Sequence, residues 1–141
     1  MKTPLSWLKQ YVDINLDKNI IAHELTMAGT EVGAIEQIGG WHKVFVGQVK
    51  QVNPHPNADK LRLVTVDIGD SQMTVVCGAP NITEGQKIAF AKTGAILNDP
   101  HTGNQKTLKS TTIRGVESNG MVCSEEELGI GNDSSGILVL P

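Results

Sequence analysis

The segment PHPNADKL, residues 54–61, separates two runs rich in β-branched and other apolar residues, 44–52 and 61–68. Pro54 and Pro56 fix their own φ angles and hold the residues before them in extended conformations, so the segment cannot be helical. Both flanking runs are predicted as strands, which makes an antiparallel pair with a rigid corner between them. The corner presents four polar side chains, those of His55, Asn57, Asp59 and Lys60.

From Trp41 onward, short apolar runs alternate with turns rich in glycine, which is typical of a small all-β barrel. Strands are predicted over residues 44–52, 61–68, 73–77, 87–91, 108–113 and 136–140, with a mobile surface loop over 98–105. Ser124 and Glu127 form a capping-box pattern, which predicts a short helix that ends at Gly129. Phe45 and Phe90 fall within strand patterns, so we expect both in the core.

The first 40 residues differ in pattern from the rest of the chain. A first, short helix is predicted with Pro4 at its first position and with Leu5, Leu8 and Val12 on one apolar face. A second is predicted from the cap Asp17 to about residue 28, with Gly29 as its stop. A strand over 30–38 and a hinge at 39–40 complete a small α+β segment, residues 1–40, ahead of a β domain, residues 41–141. So short a segment buries little apolar surface and is expected to be incomplete alone.

The chain has 141 residues and a formal net charge of −3, which argues against general binding of polyanions. The charge is unevenly distributed. Residues 41–114 carry nine basic and five acidic side chains, a net charge of +4, whereas residues 115–141 carry five acidic side chains and no basic one. Such asymmetry can leave one face positive, although charges that merely solvate the surface are an equally good explanation.

Composition indicates a cytoplasmic globular protein. No apolar run approaches the roughly 20 residues of a membrane span, and no secretory signal is present. Cys77 and Cys123 have no second cysteine or histidine at metal-ligand spacing, so each is predicted to be a buried free thiol. The glycines after residue 114 lack the strand-to-helix context of a phosphate-binding loop.

Only one histidine has a nearby carboxylate that could orient it for acid–base chemistry, namely His55 with Asp59. No serine or cysteine nucleophile stands beside this pair in the sequence. We therefore expect His55 and Asp59 to stabilise the corner, with His55 supporting the turn through a hydrogen bond. No catalytic residue and no metal ligand is predicted.

Two motifs carry a resemblance to a known family. HPNADKL at residues 55–61, followed by RGVESNGM at residues 114–121, resembles the paired signature of tRNA-binding domains of the endothelial-monocyte-activating-polypeptide type. The resemblance implies a mainly β fold, a five-stranded oligonucleotide/oligosaccharide-binding (OB) barrel with short helices. It also implies that Ser118 and Asn119, in the second motif, lie near the RNA-binding surface.

The beginning of the chain carries a second resemblance. MKTPLSWLKQYVD at residues 1–13 and LTMAGTEV at residues 25–32 resemble the N-terminal region of the bacterial phenylalanyl-tRNA synthetase beta-chain family. This resemblance implies a fragment of a class II, ATP-dependent ligase of protein biosynthesis, which uses ATP and magnesium and assembles from two alpha and two beta chains. Catalysis in that family lies outside the matched region, so the 141 residues are predicted to bind tRNA and not to react, with no cofactor, no membrane and no DNA as partners.

Aromatic residues are scarce in the barrel region, which limits base stacking as a mode of RNA recognition. We expect contacts to phosphates and to RNA shape instead. The predicted RNA-binding residues are Lys60, Arg62, Lys92, Lys109 and Arg114, together with the polar side chains of Asn57, Ser118 and Asn119.

Two other functions remain open at this level. OB barrels with this signature also occur as stand-alone protein-interaction or chaperone-like modules, although the segment 1–40 argues against one. A small hydrolase that uses His55 and Asp59 has only those two residues in its favour.

Overall fold

A computed structural model describes residues 1–37 and 39–141 of the chain. It divides into two compact units, Met1–Gln37 and Ile38–Pro141.

The first unit contains two helices, α1 (Leu5–Leu8) and α2 (Lys18–Met27). Helix α1 is shorter than predicted, and Pro4 is its N-cap and not its first helical residue. Helix α2 begins as predicted, because the Asp17 carboxylate accepts a hydrogen bond from Asn19 N at 2.8 Å. It stops at Gly29, whose φ of +94° ends the helical path.

The predicted strand over 30–38 is wrong for residues 30–37, which have no strand structure, and Ile38 lies outside the described residues. A strand needs a hydrogen-bonding neighbour, and this stretch pairs with none of the described strands. None of residues 1–37 is buried, in keeping with a segment too small to enclose a core.

The second unit is built almost entirely of strands. In chain order they are β1 (Val44–His55), β2 (Ala58–Asp67), β3 (Gln72–Cys77), β4 (Lys87–Lys92), β5 (Ile96–Asn98), β6 (Gln105–Thr107), β7 (Thr111–Ile113), β8 (Val116–Ser118), β9 (Gly120–Val122) and β10 (Val139–Leu140). One short helix, α3 (Glu125–Leu128), lies between β9 and β10.

The main sheet is antiparallel and has the order β10-β4-β1-β2-β3, with β9 also paired to β4. On the far side of β3, Val76 N donates to the Ser118 hydroxyl at 3.2 Å, which joins β3 to the end of β8. Strands β1, β2, β3, β4 and β9 thus form the body of an OB-like barrel, and β10 adds two residues at the edge. The predicted mainly β fold with short helices is confirmed.

Strand β4 is buried on both faces. Ile88 and Phe90 enter the barrel core, which they share with Val49, Val64, Val66, Val75 and Ile82. Ala89 and Ala91 point to the opposite side, into a second apolar cluster formed with Leu97, Cys123 and Leu128. Because both faces of β4 are covered, its sequence is continuously apolar at residues 88–91. A strand with one face in water would instead alternate apolar and polar residues.

The boundaries of the longer strands agree with the predictions to within a few residues. The predicted strand over 108–113 is shorter, because residues 108–110 lie outside β7, and the one over 136–140 is reduced to β10. The predicted loop over 98–105 connects two strands of three residues each, β5 and β6, which pair as a hairpin. The capping box is confirmed, since Ser124 and Glu127 exchange both bonds and α3 ends at Gly129.

Candidate nucleic-acid interface

The corner between β1 and β2 is fixed by His55. Its Nδ1 accepts a hydrogen bond from Asn57 N at 3.0 Å, which leaves the hydrogen on Nε2 to be donated to Ile113 O at 3.2 Å. The ring is buried, with 6% exposure. His55 thus bonds both to the turn and to the end of β7.

Asn57 makes the second link across the corner. Its Nδ2 donates to Arg114 O at 3.0 Å. Arg114 and Gly115 form the turn between β7 and β8, with φ values of +51° and +88°. The two motifs quoted above, 55–61 and 114–121, are thus bonded to each other. This link could not be predicted from the sequence, because the acceptor is a main-chain carbonyl, which every residue carries.

Three cations surround this corner, Lys60, Arg62 and Arg114, and all three are exposed. Among the described residues, none of them has a carboxylate within 4.0 Å, so their charges are available to a ligand. Arg62 pairs with Pro54 on β1 and with Cys77 on β3, which places it at the end of the barrel. We call Lys60, Arg62 and Arg114 the corner group.

The hydrolase alternative loses its basis at this corner. Both nitrogens of His55 are bonded within the turn and to Ile113, and Asp59 is exposed and is not a partner of the ring. Within the described ranges, no three His, Cys, Asp or Glu side chains come together as a metal site would require.

A second set of candidate residues lies where β1 begins and β4 ends. Lys92 N donates to Lys43 O at 2.9 Å, and Lys43 Nζ lies 3.4 Å from Thr93 O. Thr93 Oγ1 donates to Asn119 O at 2.9 Å, and Gly94 N donates to Leu108 O at 2.7 Å. These bonds bring together Lys43, Lys92, Lys109 and Asn119, which we call the mouth group. Lys43 was not predicted.

Phe45 lies at the same end of the barrel. The expectation that it belongs to the core is wrong, because its side chain is 40% exposed, whereas Phe90 is fully buried as predicted. Phe45 is only the second residue of β1, so the barrel does not continue far enough to cover it.

The predicted RNA-binding residues therefore fall at the two ends of β1. That strand has 12 residues, and at about 3.3 Å per residue its ends are separated by at most roughly 36 Å of extended chain. The corner group thus lies where β1 ends and the mouth group where it begins, and Arg114 of the first is five positions from Asn119 of the second.

Ser118 lies inside the protein. It is 5% exposed, its hydroxyl donates to Gly120 O at 3.0 Å, and it accepts from Val76 N. Its hydrogen bonds hold β3 against the β8–β9 turn. Asn119, its neighbour, is exposed.

Both cysteines are free and buried, as predicted. Burial raises the pKa of the Cys77 thiol and raises the pKa of Cys123 to about 12. Neither thiol is therefore a ready nucleophile. No helix within residues 1–37 and 39–141 has the length and hydrophobicity needed to cross a membrane.

An OB-like barrel with exposed cations at its edges is an architecture that many nucleic-acid-binding modules share. The chain belongs to the family described as "Putative tRNA binding domain", whose model matches residues 44–141. Over its whole length it is also similar to phenylalanine–tRNA ligase beta subunits. It is 52% identical to that of Dehalococcoides mccartyi over 142 residues, which cover 100% of this chain and 18% of the relative.

The beta subunit of Protochlamydia amoebophila is 50% identical over 141 residues, 99% of this chain and 17% of the relative. The chain thus spans less than a fifth of the length of these curated relatives. Both resemblances noted in the sequence are confirmed. Among solved structures, an RNA ligase of Naegleria gruberi matches with a TM-score of 0.49 and 15% identity, over 60% of this chain and 28% of that one. So slight a likeness says nothing about function.

Proposed function

We propose that this chain is the tRNA-binding portion of a phenylalanine–tRNA ligase beta subunit, and that it binds or positions tRNA during aminoacylation. The observation that carries the proposal is the similarity of about half of all residues to such subunits along the entire chain, first unit included. A stand-alone binding module would be expected to match over the barrel alone.

The exposed cations support binding to the RNA backbone. The corner group offers three charges that are free of carboxylate partners among the described residues, on a corner held rigid by His55 and Asn57. A rigid base lets charged side chains meet phosphates without ordering the main chain on binding. Phosphate contacts of this kind recognise the shape of the RNA more than its sequence.

The proposal extends to the assembled enzyme. Its partners are an alpha subunit and a second beta subunit, in a heterotetramer of class II type that uses ATP and magnesium in the cytoplasm. The 141 residues themselves are proposed to bind without reacting, since they hold no nucleotide-binding loop and His55 is committed to the corner. The boundary proposed between the first segment and the OB domain is residues 40–41.

The proposal is tested by the salt dependence of tRNA binding. Purified 141-residue protein is titrated into labelled phenylalanine tRNA at several concentrations of NaCl. A handful of phosphate contacts predicts a log–log slope of about −2 to −4. Absence of binding at low salt, or an affinity that ignores salt, would contradict the proposal and favour the protein-interaction alternative.

A further inference from the structure

Phe45 is exposed although it lies on the inward face of its strand. Its partner in the sheet is Phe90, which is fully buried, and the next inward pair is Gly47 with Ile88. Side chains paired across a sheet share a face, so the Phe45 ring lies over the open end of the barrel core. The Phe45 side chain is thus 40% exposed at this end of the barrel, and the Lys92 ammonium lies over its ring.

A cation and a carboxylate border this ring. Lys92 Nζ lies 4.9 Å from the centre of the Phe45 ring and 3.7 Å from Asp70 Oδ2. The other oxygen of Asp70 accepts a hydrogen bond from Ser71 Oγ at 2.9 Å. An aromatic face, a flexible ammonium and an oriented carboxylate therefore meet at one point, with Lys43, Lys109 and Asn119 around the adjoining Thr93–Gly94 turn.

These three groups match two parts of a nucleotide, its base and its phosphate. A base can stack on an aromatic face, an ammonium can bind its phosphate, and a carboxylate can accept hydrogen bonds only from donors on the base edge. A carboxylate would repel a phosphate, so its presence beside the ring favours contact with the base. Guanine fits best, because it presents two adjacent N–H donors on its Watson–Crick edge.

We infer that Phe45 is the stacking platform for one unstacked base of the bound RNA, with Lys92 moving from the ring to the neighbouring phosphate and Asp70 accepting from the base edge. This inference rests on the proposed function and adds a single-nucleotide site to it. The site consists of Phe45, Asp70 and Lys92, of which Lys92 belongs to the mouth group. It is consistent with the expectation that the domain stacks few bases, and it adds the position of one.

The test uses a short uridine-rich RNA containing one guanosine, its all-uridine counterpart and phenylalanine tRNA. Stacking on an aromatic residue predicts that Phe45→Leu weakens binding of the guanosine-containing RNA by about 5- to 100-fold, whereas Phe45→Tyr stays within about twofold. The Leu variant keeps an apolar side chain, and its melting temperature shows that the barrel is intact. Asp70→Asn should remove the preference for the guanosine-containing RNA over the all-uridine RNA.

Val46→Ala is the matched control, since Val46 is the adjacent residue on the opposite face of β1 and is 63% exposed. It should change affinity less than twofold. Equal affinity of the Phe45→Leu variant and the unmodified protein, or an equal loss in Val46→Ala, would overturn the platform. An Asp70→Asn variant that keeps the guanosine preference would overturn the base-edge contact.

The outcome is separable from that of the proposed function. If the platform fails while the unmodified protein still binds phenylalanine tRNA in a salt-dependent way, only the single-nucleotide site is wrong. If the unmodified protein binds neither tRNA nor the short RNA, the proposed function itself is wrong, and the single-nucleotide site is wrong with it.

Discussion

Asn57 donates a side-chain hydrogen bond to the main-chain oxygen of Arg114, 57 positions further along the chain. Together with the bond from His55 to Ile113 O, it closes the β1–β2 corner onto the turn between β7 and β8. The Asn57 bond joins the two family motifs, 55–61 and 114–121, and we call the two bonds together the corner lock. Its stability can be measured one bond at a time.

Replacing Asn57 by alanine should lower the free energy of unfolding by about 1 kcal/mol, because Arg114 O loses its side-chain donor and the bond is only partly shielded from water. Urea unfolding measures the difference. Asn53→Ala is the control, since Asn53 is exposed on the same strand and its side chain makes no hydrogen bond among the described residues. A control that loses as much stability as Asn57→Ala would show that the Arg114 bond is not the cause.

Replacing His55 by alanine should cost more, about 2 kcal/mol, because two hydrogen bonds and a buried ring are lost together. The exposed His101→Ala variant should be nearly neutral. At a temperature where both variants are folded, tRNA affinity should match that of the unmodified protein within about threefold. A fully stable His55→Ala variant that no longer binds tRNA would instead make His55 a direct contact.

Reversing the charge of Lys60 and Arg62 together, as Lys60→Glu with Arg62→Glu, should weaken tRNA binding by at least about tenfold and reduce the magnitude of the salt slope by about 2. The melting temperature should change little, because exposed charges contribute little to stability. Filter binding at several salt concentrations measures both quantities.

The control for this charge reversal is Lys9→Glu with Lys18→Glu in the first unit, which changes the net charge by the same amount. If the control weakens binding equally, net charge is responsible and the corner group is not a specific surface. If neither pair has an effect, the cations of the mouth group carry the phosphate contacts.

The buried Cys123 thiol predicts a loss of stability at alkaline pH. Burial raises its pKa in the folded protein from 9.0 to about 12. Folding therefore favours the protonated thiol, and this contribution is complete below pH 9 and is lost as the pH rises toward 12. The slope is at most about 1.4 kcal/mol per pH unit for one group.

Urea unfolding at a series of pH values above 9 tests this prediction. The dependence on pH should be shallower in Cys123→Ala than in the unmodified protein, whatever the cavity in the variant costs overall. Parallel curves for the two proteins would show that the thiol titrates alike in the folded and unfolded states.

Gly120→Ala should destabilise the barrel by about 1–3 kcal/mol, the usual cost of overpacking. A methyl group there would overlap Phe90 Cζ and lie 2.8 Å from Ala91 O, so the core or strand β4 has to shift. Gly33→Ala is the control, because nothing lies within 4 Å of an added methyl group and φ is not positive. An equally stable Gly120→Ala variant would mean that β9 moves away from β4 at little cost.

Local signals predicted the features that depend on neighbouring residues. Asp17 caps α2, Ser124 and Glu127 form the capping box of α3, and the prolines around His55 make the corner, all within four positions in the chain. The strand predictions for residues 30–37 and 108–110 were wrong because a strand depends on residues that are distant in the chain. Their composition suits a strand, but a strand also requires a partner that only the folded chain provides.

The residue types of the candidate site could be predicted, but their grouping could not. Lys60 and Lys92 both carry the positive charge expected of an RNA surface, yet the register between β1 and β4 places Lys92 beside Lys43, at the far end of β1. Phe45 was assigned to the core because its strand pattern points inward. Its exposure depends on where the neighbouring strands end, and the alternation of apolar residues in the sequence does not show where those ends lie.

The two bonds of the corner lock reach the β7–β8 hairpin at the carbonyl oxygens of Ile113 and Arg114. A carbonyl is common to every amino acid, so the lock prescribes the course of the backbone and leaves the chemistry of these two side chains unspecified. Position 114 also requires a residue that tolerates a φ of +51°. Glycine and asparagine adopt this φ at least as readily as arginine does. A library randomised at residue 114 should therefore favour glycine, asparagine and other residues that tolerate a positive φ, and its folded members should differ in their affinity for RNA.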